Sequence, residues 1–425
     1  MKVGILGLGT VGGGVVNVLR KNADSIKRRT GVKVKVVLAG VRDVSQDRIC
    51  DTSDITLTED PYKVVNHKDV DVVLELIGGT EVTKDLVETA IKNGKHVITA
   101  NKALLAEHGN DLIKLANKNK VRLLFEASVA GGIPIIKSLE QGLSANKIES
   151  LAGIVNGTGN FILTEMKEKD RDFADVLKEA QMLGYAEADP TYDVEGIDAA
   201  HKLSILAAIA FGTELQFDKV YTKGISEITT EDIKYATELG YVIKHLGIAK
   251  RVGNSIEMRV HPTLIAKDQI IANVNGVMNA VLVKGDALGT SLYYGAGAGD
   301  EATASAVIAD LIDIINNQTS NHILGWKSQV KTKVIDNNLI DSEFYLRLLV
   351  SDVSGVLAKL TQIFHDQKVS IEAFIQKKVD ADNNAHIAII TNKINTKNVM
   401  NIKAKIEASD FNQDSVQVLH VETLD

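Results

Sequence analysis

A short apolar run at Lys2–Leu6 stops at Gly7-Leu8-Gly9-Thr10-Val11-Gly12, and a segment with apolar residues at helical spacing follows at once. The glycines of this GxGxxG permit a tight turn and a close backbone approach. The helix beyond presents free N–H groups and the positive end of its dipole to a pyrophosphate. Alone, the pattern also suits a strand–helix turn packed on glycine. Set between the first strand and the first helix of a βαβ unit, it predicts a dinucleotide site.

The next 120 or so residues supply that context. Strands are expected at 32–40, 70–77, His96–Thr99 and 121–125, with helices at 11–19, 82–93 and 106–117. Strands alternating with helices of this length specify an α/β fold, a Rossmann-type doubly wound parallel sheet covered on both faces, here over residues 1–130. The acidic residue that usually closes the second strand is missing, and the chain there reads Gly40-Val41-Arg42-Asp43. An arginine suits the 2′-phosphate of NADP, whereas an aspartate favours the ribose hydroxyl of NAD. Asp43 keeps NAD open, and a solvated loop arginine is the plain alternative.

Composition narrows the function classes. The 425 residues suffice for two to four domains at about 100–200 residues each. Net charge is −7, from 48 basic and 55 acidic residues, and aromatics are 4%. Nucleic acid is therefore not an expected partner, since a phosphate-backbone binder has a basic footprint. Cys50 is the only cysteine, which excludes an internal disulfide framework and a cysteine-rich zinc site. No secretory pattern opens the chain, and the longest other apolar stretch, 203–211, falls far short of the roughly 20 residues that span a bilayer. A cytoplasmic protein with no membrane partner is expected.

Polar and charged residues of chemical interest cluster in two places. Lys102 follows the His96–Thr99 strand, at the carboxyl edge where such sheets bind ligands; a solvated lysine at a helix start is the alternative. The densest acidic cluster is Glu187, Asp189, Asp193 and Asp198, with Lys202 four residues beyond Asp198. That spacing puts Asp198 and Lys202 on one helical face. A surface pair would be worth a few tenths of a kcal/mol. The stripe continues through Ile205 and Ile209, however, and its neighbours are Leu203, Leu206 and Ala207. The helix from 198 to 210 is therefore read as buried, and the ion pair as part of a pocket wall. His201 points about 100° away from Lys202 and is read as a packing or surface histidine. The other histidines lack metal-ligand spacing.

The segment AQMLGYAEADPTYDVEGIDAAHK (180–202) resembles the signature of homoserine dehydrogenases, matching at Gly184, Glu187, Pro190, Asp193, Gly196, Asp198 and Lys202. Asn156-Gly157-Thr158-Gly159-Asn160 and the glycine-rich stretch 294–306 are also similar to that family, so the resemblance covers roughly 1–320. It implies interconversion of L-homoserine and L-aspartate 4-semialdehyde with NADP or NAD, serving threonine, methionine and isoleucine synthesis. It implies Lys202 as proton donor with Lys102 as a second lysine at the reacting centre. It also implies Glu187 and Asp198 on the substrate ammonium, with Asp193 and Thr158 as weaker contacts, and Gly184 lining both substrate and cofactor. Leu8, Gly9, Thr10, Val11, Arg42, Lys102 and Glu187 would hold the cofactor, with Gly297 or Gly299 closing over it. Glu126, Val129, Gly131 and Ile133 resemble the family's monovalent-cation loop, which implies a structural sodium ion held chiefly by backbone carbonyls.

The resemblance further implies that residues 131–320 form an α+β catalytic and dimerisation domain, with 295–318 packing back on the first domain. The polar stretch 321–342 reads as a linker with an extended piece at 328–335. After it come a strand at 344–351, a helix at 356–365, strands at 369–379 and 385–391, a helix at 397–408 and a last strand at 416–421. This βαββαβ order over 343–425 is ferredoxin-like, and Asp352-Val-Ser354-Gly355-Val356-Leu357 resembles the first turn of an ACT domain. That implies L-threonine as effector, although Ser354 stands where a proline is usual; pairing of such sheets in a homodimer or homotetramer is the other role. Two further functions are open to the sequence: a catalytically silent sensor of NADP and an amino acid, and a Rossmann dehydrogenase for another amino-acid-derived alcohol. The lysine placed for proton transfer speaks against the first, and the 180–202 segment against the second.

Overall fold

The computed structural model describes residues 1–316, 324–378 and 383–424. Two compact units are formed. One comprises 1–157, 198–220 and 277–332; the other comprises 158–197, 221–276 and 333–425. This grouping follows contacts, whereas the expected partition at 130, 320 and 342 follows motifs.

The first unit is built on six strands: β1 (Lys2–Leu6), β2 (Lys35–Gly40), β3 (Thr56–Thr58), β4 (Val72–Glu75), β5 (His96–Thr99) and β6 (Leu123–Leu124). All pair in parallel, in the order β3-β2-β1-β4-β5-β6. Val3, Ile5, Leu6, Val72, Val73, Leu74, Val97 and Ile98 are wholly buried, as a sheet covered on both faces requires. Strand order reverses between β1 and β4, which opens the crevice where doubly wound sheets bind ligands. Helix Thr10–Lys21 leaves β1, and Asp300–Asn316 packs against it so closely that a Cβ on Gly14 would lie 2.6 Å from the Asp300 carbonyl oxygen. Strands Ile148–Ile154, Met278–Gly285 and Gly289–Ala296 add an antiparallel set.

Several boundaries differ from expectation. The helix expected at 106–117 begins at Lys102, because Asn101 caps it by accepting from the Leu104 N–H at 3.0 Å. Strand Thr56–Thr58 and helix Pro61–Val65 were not expected, although Asp60-Pro61 carries the start signal: Asp60 accepts from the Tyr62 N–H at 3.0 Å and proline takes the first helical position. Within 241–296, where no individual strand was expected, the chain forms two hairpins. Nearly every residue of Tyr241–Val252 and Ser255–Ala266 is buried, so the alternation that marks a half-exposed strand is missing there.

In the second unit those two long strands are followed by Gln417–Glu422, Asp341–Ser351, Asn384–Thr391 and Ile371–Lys378 in sheet order. Helices Val356–Asp366 and Thr396–Glu407 join the C-terminal strands. Gln417–Glu422 pairs in parallel with Ser255–Ala266, Thr263 opposite His420. Part of the expected linker (317–323) and the end of the strand expected at 369–379 lie outside the described residues. Among the described residues no helix is long and apolar enough to cross a membrane.

Candidate active site and cofactor cleft

Gly7 follows β1 at φ +96° and donates its N–H to the Gly40 oxygen at 2.9 Å. A Cβ on Gly7 would lie 2.8 Å from the Leu76 oxygen, and one on Gly12 only 2.0 Å from the Gly7 oxygen. These two glycines are therefore demanded by the turn itself. Gly9 differs: a Cβ there meets nothing within 4 Å. Its bare face opens on a cleft of about 820 Å³ lined by Gly7, Leu8, Gly9, Thr10, Arg42 and Arg48 on one side and by Ile77–Thr83 on the other. The volume and the exposed turn fit a dinucleotide. Asp43 is turned away, accepting from the Ser45 N–H at 2.8 Å and hydroxyl at 2.6 Å. Val11 packs against the core beneath the sheet.

The far rim of the cleft is organised by Glu75, the last residue of β4. It is wholly buried and accepts from the N–H groups of Ile77 and Gly78 at 3.0 and 3.3 Å and from the Thr99 hydroxyl. Burial pushes its carboxyl above the ordinary range, against the pull of those hydrogen bonds. Thr99 Oγ1 in turn accepts from the Asn101 N–H at 2.9 Å, and Asn101 Nδ2 donates to the Gly79 oxygen at 2.6 Å. Lys102 thus starts its helix from a loop fastened to the cleft rim.

Helix Ile197–Phe211 brings the second lysine. It is buried along nearly its whole length. Asp198 Oδ2 accepts from Lys202 Nζ at 2.7 Å and from Asn156 Nδ2 at 2.9 Å, while Oδ1 pairs with Lys102 Nζ at 3.1 Å. Lys202 Nζ also donates to the Val155 oxygen at 2.7 Å. The side chains of Asp198, Lys202 and Lys102 are 6%, 12% and 41% exposed. Burial alone would raise the Asp198 carboxyl; the two ammonium groups, with the hydrogen bonds from Lys202 and Asn156, hold it well below the usual carboxylate range instead. One carboxylate therefore orients two cations 100 residues apart in the chain, with one of them largely desolvated.

A cleft sized for a dinucleotide and a carboxylate-held lysine pair stand in the same unit. Two family models match the chain: "Homoserine dehydrogenase, NAD binding domain" over residues 7–126 and "Homoserine dehydrogenase" over 134–312. The homoserine dehydrogenase of Pseudomonas aeruginosa is 50% identical, with 100% of this chain and 99% of that protein aligned. The chain belongs to the homoserine dehydrogenase family. It is an oxidoreductase with a nicotinamide-dinucleotide-binding domain. The Neisseria gonorrhoeae homoserine dehydrogenase is 49% identical over 100% of this chain and 99% of its own. The crystal structure of a homoserine dehydrogenase from Thiobacillus denitrificans superposes with a TM-score of 0.95 at 52% identity, covering 99% and 98% of the two chains. A hyperthermophilic archaeal homoserine dehydrogenase in complex with NADPH shares the fold at 24% identity, with a TM-score of 0.61 over 73% of this chain and 96% of that one.

The remaining residues implied by the family resemblance fall in separate places. Thr158, Gly184, Glu187 and Asp193 belong to the second unit. There the Thr158 hydroxyl donates to the Tyr185 oxygen at 2.6 Å, and Gln181 Nε2 holds the Glu187 oxygen at 3.1 Å. Gly184 takes φ +75°, and Glu187 is exposed. Gly297 backs onto Gly131, where a Cβ would lie 2.5 Å from the Gly297 oxygen; Gly299, at φ +123°, precedes helix Asp300–Asn316. Sequence reasoning missed Arg48, Glu75, Asn101 and Asn156. A glutamate ending an otherwise apolar strand, and the asparagine that opens the NGTGN segment, were the available signals.

Proposed function

We propose that the chain interconverts L-homoserine and L-aspartate 4-semialdehyde with Lys202 as the proton-transferring group. The observation that carries this is the Asp198 carboxylate gripping both Lys202 and Lys102. The nicotinamide, when bound, supplies or takes up the hydride. In the reducing direction the aldehyde oxygen gains negative charge as its carbon is reduced. Lys202, fixed by Asp198 and the Val155 oxygen, gives that oxygen a proton; Lys102 stabilises the developing charge. In the oxidising direction the homoserine hydroxyl returns its proton to the Lys202 amine. Glu187 and Asp198 serve the substrate ammonium, with Asp193 and Thr158 supporting and Gly184 allowing close approach. The nucleotide lies along Leu8, Gly9, Thr10 and Val11, with Gly297 or Gly299 toward the closing side. Arg42 and Arg48 on the cleft favour NADP, which the engagement of Asp43 with Ser45 also supports.

The residues around Glu126 fit a sodium ion. Ala130 and Gly131 take φ of +54° and +50°, and no described donor reaches the carbonyl oxygens of Val129 or Gly131. The Glu126 carboxylate, wholly buried, accepts from the N–H groups of Ile136 and Lys137, both at 2.8 Å. Its carboxyl is pushed up to about 7 by burial and by Asp310. A monovalent cation held there with the Ile133 carbonyl would relieve that cost and brace the loop. The C-terminal segment is read as an ACT-like regulatory module. A cavity of about 250 Å³ bounded by Ser351–Leu357, Gln376 and Ile387 is sized for an amino acid such as L-threonine, and Gly355 enters it at φ +93°. A cytoplasmic homodimer or homotetramer in the synthesis of threonine, methionine and isoleucine completes the reading. Nicotinamide absorbance followed with homoserine and NADP⁺ tests it: steady NADPH formation is expected, and silence with homoserine beside turnover of another amino alcohol would refute it.

A further inference from the structure

We propose that Lys244 is a positioning residue for the substrate end of the reaction. Its ammonium fastens the first turn of helix Gly157–Lys169 to the 274–276 turn, and so fixes Thr158 against the 184–187 loop. The inference rests on the assignment of Thr158 and that loop to the amino-acid substrate.

Lys244 lies within strand Tyr241–Val252 and is 1% exposed. Fully buried lysines are rare and normally face a carboxylate. Here Nζ donates to three neutral oxygens: Val274 O at 2.6 Å, Asn275 Oδ1 at 2.9 Å and Asn160 Oδ1 at 3.3 Å. Among the described residues no carboxylate comes within ion-pair distance of it. Burial accordingly lowers the ammonium to about 8. A strand packed on both faces would be served more cheaply by an aliphatic residue, so the buried charge requires a return beyond packing.

That return is the joining of two segments far apart in sequence. Asn160 receives the lysine on Oδ1 and donates Nδ2 to the Val274 and Gly276 oxygens at 3.2 and 2.9 Å. The Gly276 N–H donates to Thr164 Oγ1 at 3.1 Å, one turn along the same helix. Thr158, two residues before Asn160, donates its hydroxyl to the Tyr185 oxygen at 2.6 Å, between Gly184 and Glu187. The path from Lys244 to the loop thus runs through hydrogen bonds and a single helical turn. With the ammonium removed, Asn160 Oδ1 and the Val274 carbonyl compete for fewer donors and the first turn is free to shift. A displacement near 1 Å at a substrate contact costs on the order of 10²-fold in kcat/KM.

The test is Lys244→Met in the full chain, with kcat, homoserine KM and NADPH affinity measured separately. The expected result is a homoserine KM raised about 10- to 100-fold, NADPH affinity changed less than about twofold, and partial recovery in Lys244→Arg, which restores a cation. An unchanged KM, or equal losses for homoserine and NADPH, overturns the proposal. Should Lys244→Met fail to fold, Asn275→Ala at an exposed position removes one arm of the cage. It is expected to raise the homoserine KM by a smaller factor, and no rise overturns the proposal. Thr158→Val separates this inference from the reading beneath it. A raised KM in Thr158→Val with a normal KM in Lys244→Met defeats the clamp. A normal KM in Thr158→Val defeats the assignment of the loop.

Discussion

Replacing Gly9 by alanine separates cofactor binding from folding. Gly9 has φ −75°, which alanine adopts freely, and its added Cβ meets no protein atom within 4 Å. As the N-cap of helix Thr10–Lys21 it is a position where glycine outranks alanine, a cost of about 1 kcal/mol that the lost freedom of glycine in the unfolded chain offsets by about 0.4–1 kcal/mol. Stability should therefore change by no more than about 1 kcal/mol in either direction. The methyl group projects instead where a pyrophosphate would approach the turn. Pushing the phosphate back by about 1 Å weakens one or two charged hydrogen bonds, each worth about 1.5–3 kcal/mol, so NADPH affinity should fall roughly 10- to 150-fold. Fluorescence titration of NADPH and a thermal melt without cofactor read the two quantities independently. Gly12→Ala is the contrast: its Cβ would stand 2.0 Å from the Gly7 oxygen, so both the melt and the titration should suffer. Unchanged NADPH affinity in Gly9→Ala, with a normal melt, would refute the placement of the pyrophosphate on this turn.

Arg42→Ala should weaken NADPH about tenfold or more while leaving NADH nearly untouched, the loss of a charge-assisted phosphate contact; equal losses for both would show that Arg42 reads no phosphate. Sodium should protect more as pH rises. The Glu126 carboxyl is raised to about 7 from 4.5, so the stability of its protonated form is complete below about pH 4.5 and is lost as pH climbs to about 7. A bound cation offsets that loss. The gain in thermal midpoint from sodium over a bulky organic cation should be larger near pH 8 than near pH 5, and Glu126→Gln should abolish the difference. Glu140, raised to about 7 by burial and Asp310, lowers stability over the same pH range with either cation and so cancels from the comparison. A sodium effect independent of pH would contradict the site.

The parallel sheet was legible because both its strands and its turn chemistry are local: apolar runs ending at Gly7 and at Thr99 announce themselves within a few residues. The Asp198–Lys202 pair was legible for the same reason, since i,i+4 spacing on an apolar helix is a local pattern. Lys102 joining that pair was not, because a contact between residues 96 apart leaves no periodic trace. Nor were the hairpins between 241 and 296. The strands of the first, Tyr241–Val252 and Ser255–Ala266, are buried on both faces over most of their length and lose the two-residue alternation, and only the Gly253-Asn254 turn signal remained; in the second, Gly289–Ala296 has no buried residue to mark a core face. The roles of Glu75 and Asn156 come from hydrogen bonds across 24 and 42 residues, which no single-sequence rule anticipates.

In the proposed mechanism the Lys202 ammonium, held by Asp198 at 2.7 Å, supplies the proton in the reduction step. Lys202→Met, assayed for semialdehyde reduction at saturating NADPH and substrate, measures it most directly. Turnover is expected to fall about 10²- to 10⁴-fold while NADPH still binds as in the unaltered chain. Turnover within about threefold of normal, in a variant that folds and binds NADPH, would contradict the account and leave the proton to another group.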